Sequence, residues 1–292
     1  MKVLVILGPT GVGKTKMSIE LAKALNGEII NADSTQVYKG LAIATAKVRE
    51  DEMDGVLHHL FSFVDLEKDY SVFDYQRDCR LKIEEILKRK KTPILVGGTG
   101  LYIKAALYDY QLGDETKEQF DSYTNLELYN ELKKHDPDCT IHLNNRKRMI
   151  RALNYCLQYS QPFSKKEKNS KLLYDAVFIG LTIDRDVLYQ RINQRVDLMI
   201  RKGLIDEAFD LYERGIRTKA VLTPIGYRQL FLFFDKLISQ DEVIALIKKA
   251  SRNYAKRQYT WFNHQLDVKW FDVSDFLKTK KEIVGWIKGE NK

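Results

Sequence analysis

The sequence predicts an α/β fold in which a parallel sheet is covered by helices. Short runs of β-branched and leucine residues alternate with stretches of helical periodicity. The first apolar run ends in a glycine-rich loop that leads directly into a helical pattern. The 292 residues are enough for one large α/β domain or for a core with an insert.

Composition and charge exclude several classes of protein. Hydrophobic residues make up 44% of the chain and charged residues 30%, as in an ordinary folded protein with a buried core. The three cysteines lie far apart, so we expect neither a disulfide framework nor a zinc site, and a reducing, cytoplasmic location. No run approaches the roughly 18–20 apolar residues that span a bilayer, so we expect neither secretion nor a membrane. The formal net charge of +8 favours a polyanionic partner wherever the surplus is clustered.

The elements of the core follow one another in the order strand, loop, helix. Residues 2–8 form a compact run rich in β-branched residues and leucine, apolar without interruption from Val3 to Leu7, which is typical of a strand buried on both faces. The spacing of Met17, Leu21 and Leu25 then predicts a helix. We further predict strands at 28–31 and 93–96 and helices at 73–89 and 101–108, with the pair His58 and His59 ordering a loop between them.

The composition changes after residue 109. Residues 110–171 are polar and charged, with helical stretches at 126–134 and 146–157, and we predict that they form an inserted helical lobe. The core then comprises residues 1–109 and 172–292. Its second part is predicted to contain strands at 176–183 and 268–271, a helix at 187–211 that is interrupted at Gly203, a long helix at 243–262 and a closing helix.

Residues 8–15 match the phosphate-binding loop motif. The sequence Gly-Pro-Thr-Gly-Val-Gly-Lys-Thr follows a predicted strand and precedes a predicted helix, which is the context that the motif requires. Glycines allow backbone N–H groups to surround an anion, Lys14 adds a positive charge, and the Thr15 hydroxyl can hold Mg²⁺. The motif predicts a P-loop NTPase-like fold with a diphosphate or nucleotide phosphate at Gly8, Thr10, Gly11, Val12, Gly13, Lys14 and Thr15.

A carboxylate lies at the end of the second strand rather than the third. The third strand ends in Gly-Gly-Thr at 97–99, without the acid that a kinase or NTPase normally adds there. Asp33 follows the second strand, at the edge where doubly wound sheets bind their ligands. With Ser34, Thr35 and Gln36 it offers groups that can contact the polar edge of a base. Alternatively, Asp33 caps a helix or turn.

Basic residues cluster in two predicted helices. Residues 243–266 contain no Asp or Glu, and helical spacing places Arg252, Lys256 and Tyr259 outward, which suits binding to phosphates and stacking on a base. A merely solvated helix face usually carries acids as well. The second cluster lies in the predicted insert and consists of Arg146, Lys147, Arg148 and Arg151. Two clusters in separate lobes predict an RNA clamp.

The order of motifs resembles the tRNA dimethylallyltransferases over nearly the whole chain. The matching segments are residues 8–15, 33–40, 44–47, 58–60, 96–102, 148–153, 226–229 and 256–261. The resemblance implies transfer of a five-carbon allyl group from dimethylallyl diphosphate to N6 of adenosine 37 in tRNA, with Mg²⁺ and release of diphosphate. Asp33 would accept the hydrogen bond or proton of N6, Thr99 would place the adenosine, and Arg228 would reach the diphosphate. Thr15 and Asp33 would hold the metal.

The resemblance also implies a partner and a location. The partner is the anticodon stem-loop of tRNA, and the enzyme is expected to be a cytoplasmic monomer. The residues implied in tRNA binding are Asp33, Ser34, Thr35, Gln36, Thr99, Lys147, Arg148, Arg151, Arg252, Lys256, Arg257 and Gln258. The chain departs from the family pattern at Leu143, Asn145 and Asn154, all in the predicted RNA-binding lobe.

Three alternative functions compete with this interpretation. An adenylate isopentenyltransferase would prenylate free AMP, ADP or ATP and would need no RNA clamp. A phosphate-loop kinase or ATPase is disfavoured by the missing acid after the third strand. An RNA-binding module with a degenerate nucleotide pocket would not be expected to keep Lys14, Thr15, Asp33 and Thr99 together.

Overall fold

The computed structural model describes residues 2–110, 120–165 and 171–289, so parts of the predicted insert, at 111–119 and 166–170, lie outside the described residues. The described strands form one parallel sheet in the order β3-β2-β4-β1-β5-β6. They are β1 (Val3–Leu7), β2 (Gly27–Asn31), β3 (His58–His59), β4 (Thr92–Gly97), β5 (Ala176–Thr182) and β6 (Lys269–Asp272). The predicted α/β class with a helix-covered parallel sheet is confirmed.

Helices lie between and after the strands along the described chain. They are α1 (Lys14–Ala24), α2 (Val72–Lys88), α3 (Gly100–Leu107), α4 (Asn125–His135), α5 (Arg146–Tyr159), α6 (Arg185–Arg201), α7 (Leu204–Glu213), α8 (Lys219–Leu222), α9 (Tyr227–Phe234), α10 (Gln240–Gln265) and α11 (Phe276–Lys288). The chain divides into two compact units. One comprises Met1–Leu107 and Leu172–Lys292, and the other comprises Tyr108–Lys171. In the described part of the chain, no helix is both long enough and apolar enough to cross a membrane.

Local sequence signals set the ends of several helices. Ser71 and Ser239 begin α2 and α10 with a reciprocal cap, in which the serine hydroxyl accepts from an amide three residues later while the acid there accepts from the serine amide. Gly203 separates α6 from α7 because it adopts a φ of +92°, in the left-handed region. The predicted interruption at Gly203 is therefore confirmed.

The core of the larger unit is built on β1, whose five residues are all buried. Val5 of β1 pairs with Leu95 of β4 on one side and with Phe178 of β5 on the other. A strand with neighbours on both sides and helices on both faces has no polar surface, which explains the uninterrupted apolar run in the sequence.

The pair His58 and His59 forms the edge strand β3, and the predicted loop at these residues is wrong. The two residues pair with Ile29 and Ile30 of β2. His59 Nε2 lies 2.6 Å from the buried carboxylate of Glu28, which fixes the segment against the sheet. A two-residue strand is too short to produce a periodic signal in the sequence.

The smaller unit is held together by its own apolar cluster and by Arg146. Leu128 and Leu132 of α4 pack with Met149 and Leu153 of α5. The Arg146 guanidinium donates to the backbone carbonyls of Phe120 and Tyr123, together with further oxygen atoms nearby. Arg146 thus stabilises this unit internally, although the sequence groups it with exposed basic residues.

Candidate active site

A cavity of about 1000 Å³ opens at the carboxyl ends of β1, β2 and β4. Parallel strands all end at the same edge of the sheet, so the loops that follow them meet there. The predicted site residues that line the cavity are Thr10, Gly11, Gly13, Lys14, Thr15, Asp33, Ser34, Thr35, Gln36, Thr99, Arg257 and Gln258. The structure therefore joins the phosphate loop and the Asp33 segment in one compartment.

The phosphate loop curls around its own lysine. Lys14 Nζ donates to the carbonyl oxygens of Gly8 and Pro9 at 3.0 and 2.9 Å. Burial and the nearby Arg195 guanidinium lower the pKa of Lys14 to about 8, although Asp33 acts in the opposite direction. Val12 is buried in the core, so its predicted contact with diphosphate is possible only through its backbone.

A buried glutamine joins the phosphate loop to the loop after β4. Gln258 of α10 accepts a hydrogen bond from Thr10 N at 2.8 Å and donates one to the Gly98 carbonyl at 3.1 Å. A Cβ at Gly98 would lie 2.1 Å from the Gln258 amide nitrogen, so this approach requires glycine. The sequence predicts tRNA contact for Gln258. In the structure, both ends of its side-chain amide contact backbone groups, so we interpret Gln258 as a residue that also positions the two loops.

The Asp33 loop, residues 33–38, follows β2. Asp33 Oδ1 accepts hydrogen bonds from the amide and the hydroxyl of Thr35, at 2.9 and 2.7 Å. The buried side chain of Asn31 accepts from Asp33 N and donates to Asp33 O, which fixes the backbone. The carboxylate thus caps its own turn through Oδ1, while the residue also lines the cavity. Contact with the edge of a base and capping of a turn, the two alternatives that the sequence left open for Asp33, are both compatible with this geometry.

Thr99 connects the loop after β4 to the Asp33 loop. Its hydroxyl accepts from Ser34 N at 3.0 Å and donates to Ser34 Oγ at 3.3 Å. Gly97 permits this close approach, because a Cβ there would lie 2.1 Å from the Ala32 carbonyl oxygen. The side-chain carboxamide of Gln36 donates through Nε2 to the Thr45 carbonyl at 2.9 Å, so it is engaged within the protein.

Arg195 is a charged residue of the site that our sequence analysis did not identify. It is half-buried in the cavity wall, and its guanidinium lies 3.3 Å from Thr10 Oγ1. Burial lowers the pKa of Arg195, and Asp33 opposes that shift. A signal was present in the sequence: Leu188, Ile192 and Arg195 follow the i, i+4, i+7 spacing of a buried helix face. An arginine on such a face indicates a site.

The other basic residues predicted to bind tRNA or diphosphate lie on three helices, α10, α9 and α5. Lys256 and Arg257 are exposed on α10, and Arg252 donates to Asn193 at 2.6 Å. Arg228 is exposed on α9 and is not among the residues that line the cavity. In the smaller unit, the predicted tRNA-binding residues of α5 are all exposed; they are Lys147, Arg148 and Arg151.

Two tyrosines of α10 differ from each other in their surroundings. Tyr259 was expected to face outward for stacking, and this prediction is wrong. Its hydroxyl lies 2.8 Å from that of Thr182, and its ring packs against Trp270. Tyr254 instead lines the cavity, where burial and the Asp33 carboxylate raise its pKa.

The residues predicted to hold Mg²⁺ suit that ion. Thr15 and Asp33 both line the cavity and offer one hydroxyl and one carboxylate. Mg²⁺ usually keeps several waters and takes one or two protein oxygens together with substrate phosphates. Within the described ranges, no group of three or more His, Cys, Asp or Glu side chains could hold a metal by itself. The donor set therefore fits a metal that is shared with a phosphate substrate.

Comparisons with known proteins agree over almost the entire chain. A family model described as IPP transferase matches residues 36–265. The chain is 47% identical to a tRNA dimethylallyltransferase of Anoxybacillus flavithermus, over 99% of this chain and 97% of that protein. It is 48% identical to the tRNA dimethylallyltransferase of Bacillus cytotoxicus, over 99% of this chain and 95% of that protein.

Two solved structures are similar as well. The tRNA isopentenylpyrophosphate transferase of Bacillus halodurans has a TM-score of 0.78 at 44% identity, covering 99% of this chain and 96% of that one. A eukaryotic dimethylallyltransferase acting on tRNA has a TM-score of 0.83 at 30% identity, covering 99% and 79%. The resemblance expected from the motifs is confirmed.

Proposed function

This chain belongs to the IPP transferase family, and on that premise we propose that it transfers a dimethylallyl group from dimethylallyl diphosphate to N6 of adenosine 37 in tRNA. One observation carries the proposal: the phosphate loop and the pair Asp33 and Thr99 line the same cavity. A site for diphosphate beside a site for a nucleophile is what such a transfer requires.

On the donor side, the bond between the allylic carbon and the bridging oxygen breaks, and diphosphate leaves with the electron pair. Negative charge then develops on the leaving oxygen. The backbone amides at the start of α1, Lys14 and Arg195 provide positive charge in this part of the cavity. These groups are held in place before the reaction, Lys14 by two carbonyls and Arg195 by the side chain of Thr10.

Mg²⁺ would be held by the Thr15 hydroxyl and the Asp33 carboxylate, which supplement the phosphate oxygens of the substrate. When bound, it supplies charge neutralisation of the diphosphate.

On the acceptor side, the N6 nitrogen of adenosine forms the new bond to the allylic carbon, and its proton passes to Asp33. The Thr35 contacts orient the Asp33 carboxylate through Oδ1. Thr99 is proposed to orient the adenosine, and its hydrogen bonds with Ser34, which hold it beside the Asp33 loop, support this role. General-base catalysis of this kind typically contributes about 10²–10⁴-fold.

The RNA partner is proposed to be the anticodon stem-loop. Exposed basic residues on α5, with Lys256 and Arg257 on α10, suit contacts with phosphates. We propose that residues 110–171 act as the RNA-binding lobe and that the enzyme works as a cytoplasmic monomer. The adenylate isopentenyltransferase alternative would need no such basic faces, and the curated relatives named above carry the name of the tRNA enzyme.

A transfer assay tests the proposal. The protein, Mg²⁺ and radiolabelled dimethylallyl diphosphate are incubated with unmodified anticodon stem-loop RNA, or with AMP and ATP in parallel. We expect label in the RNA, and none when the target adenosine is replaced by guanosine. Label only in free nucleotide would establish the alternative, and label in neither acceptor would contradict prenyl transfer.

A further inference from the structure

Apart from the predicted diphosphate contact of Arg228, two sequence motifs, residues 44–47 and 226–229, take no direct part in the chemistry described above. The structure brings both of them to one carboxylate, that of Glu207 on α7. We propose that Glu207 is a positioning residue for the acceptor side of the cavity. It holds the wall segment, residues 42–46, in place beside the Asp33 loop. This inference rests on the proposed function and deepens it.

The carboxylate of Glu207 accepts hydrogen bonds from three consecutive backbone amides. Oε2 accepts from Ala42 N at 3.0 Å and from Ile43 N at 2.9 Å, and Oε1 lies 3.1 Å from Ile43 N and 3.2 Å from Ala44 N. The hydroxyl of the buried Tyr227 donates to Oε1 at 2.6 Å. A carboxylate has about four lone-pair sites, which matches these four donors.

The wall segment presents its amides to Glu207 because it folds as a tight turn. Inside the turn, Thr45 Oγ1 donates to the Leu41 carbonyl at 2.6 Å, and Ala46 N donates to the Ile43 carbonyl at 2.9 Å. The first amides of such a turn have no carbonyl partner within it, as at the start of a helix. An anionic side chain therefore satisfies them favourably.

The wall segment is in turn connected to the Asp33 loop. The side-chain Nε2 of Gln36 donates to the Thr45 carbonyl at 2.9 Å, and Lys47 Nζ donates to the Tyr38 carbonyl at 2.6 Å. Residues 44–46 line the cavity. A displacement of the wall segment would therefore move the cavity surface and the contacts that orient the Asp33 loop.

The motif at 226–229 supports the same contact. Gly226 adopts a φ of +128°, a left-handed conformation that favours glycine, and its backbone lies beside Ala44, since a Cβ at Gly226 would be in van der Waals contact with the Cβ of Ala44 at 3.4 Å. Burial and the neighbouring Glu207 raise the pKa of Tyr227, which keeps its hydroxyl protonated as a donor. This motif thus serves the wall segment through Gly226 and Tyr227, while Arg228, the next residue on α9, stays exposed.

Glu207→Gln tests the proposal, because a carboxamide has one acceptor oxygen and two N–H donors. At least two of the four donors then lose their acceptor. We expect kcat/KM for stem-loop RNA to fall by about 10-fold or more, while KM for dimethylallyl diphosphate changes by less than about twofold. Amide hydrogen exchange in a peptide covering residues 41–47 should accelerate by about 10-fold or more. Asp206→Asn is the matched control, since Asp206 is exposed in the same turn of α7, and neither readout should change.

Two results would overturn the proposal. One is unchanged exchange in the 41–47 peptide of Glu207→Gln, and the other is a rise in KM for dimethylallyl diphosphate as large as the loss in kcat/KM for stem-loop RNA, accompanied by a lower Tm. If Glu207→Gln does not fold, Tyr227→Phe removes a single donor instead. It should produce a smaller fall in kcat/KM for stem-loop RNA, again with KM for dimethylallyl diphosphate unchanged. Amide hydrogen exchange is measured without substrate, so it tests whether Glu207 holds the wall segment independently of the transfer reaction. Absence of transfer by the unmodified protein would contradict the proposed function instead.

Discussion

Gln258→Leu removes the side chain that connects two loops of the active site. Gln258 is 4% exposed, and its amide satisfies Thr10 N on one side and the Gly98 carbonyl on the other. Leucine fills a similar volume but offers neither a donor nor an acceptor. The phosphate loop and the loop that carries Thr99 would then no longer be joined through α10.

The magnitude follows from the two backbone groups that lose their partner. An unsatisfied buried donor or acceptor costs about 1–3 kcal/mol. Thr10 borders the cavity and is only half-buried, so water reaches its amide, and we expect a total loss of about 2 kcal/mol in the free energy of unfolding. The effect on turnover should be larger, because a displacement of about 1 Å in a reacting group can reduce the rate about 10²-fold. We therefore expect kcat to fall by about 10- to 100-fold.

Initial rates of label transfer to stem-loop RNA at saturating substrates measure kcat, and urea unfolding measures stability. Gln265→Leu is the matched control, since Gln265 lies on the same helix in an exposed position, where it accepts from Lys104 at 3.0 Å. That variant should change stability by less than about 0.5 kcal/mol and leave the rate unchanged. An unchanged kcat in Gln258→Leu would refute the conclusion that this contact aligns the two loops.

Gln258→Glu adds a dependence on pH. The new side chain can still accept from Thr10 N, but it donates to the Gly98 carbonyl only when protonated. Burial raises the pKa of a carboxyl group. Turnover relative to the unsubstituted protein should therefore improve as the pH is lowered, and a ratio that stays constant with pH would contradict this account.

Three further predictions concern single charged groups. Asp33→Asn should lower kcat by about 10²–10⁴-fold with RNA binding retained in a filter assay, and near-normal turnover would exclude Asp33 as the base. The pKa of Lys14 is about 8, so the free enzyme should lose this charge as the pH rises above 8. We expect kcat/KM for dimethylallyl diphosphate to fall above that pH, and a flat profile to pH 9.5 would contradict this role. Burial disfavours the charged form of Glu28, but hydrogen bonds from Arg89, His59 and Lys91 lower its pKa from 4.5 to about 2. A depressed carboxyl pKa stabilises the fold above 4.5 and loses that effect as the pH falls toward 2. Glu28→Gln should therefore cost about 3 kcal/mol at pH 7 in denaturant unfolding, and the difference should shrink below pH 4.5; a constant difference would show that the ion pairs are not responsible.

Much of the fold could be predicted because its signals are local. The uninterrupted apolar run of β1 and the helical spacing over α10 each identify an element without reference to the rest of the chain. The phosphate loop is equally local, because its glycines, Lys14 and Thr15 are consecutive and act together at one strand end. Asp33 was identified for the same reason, since it directly follows a predicted strand.

Other features depended on partners that are distant in sequence. Tyr259 has the spacing of an outward-facing residue, yet its hydroxyl lies within hydrogen-bond distance of Thr182 and its ring packs against Trp270. His58 and His59 pair with β2, and His59 contacts the buried carboxylate of Glu28, about 30 positions earlier. Periodicity describes which face of an element a residue occupies, but not which other part of the chain packs against that face.

By itself, the amino-acid sequence determined the α/β class, the phosphate loop and the family resemblance, because each of these is written in consecutive residues or in the order of motifs. Only the tertiary structure decided that Gln258 holds two loops together, that Arg195 joins Lys14 in the cavity, and that Glu207 holds the wall segment. The physical reason is that hydrogen bonding and burial act over distances of a few ångströms between groups that lie up to 248 residues apart in the chain.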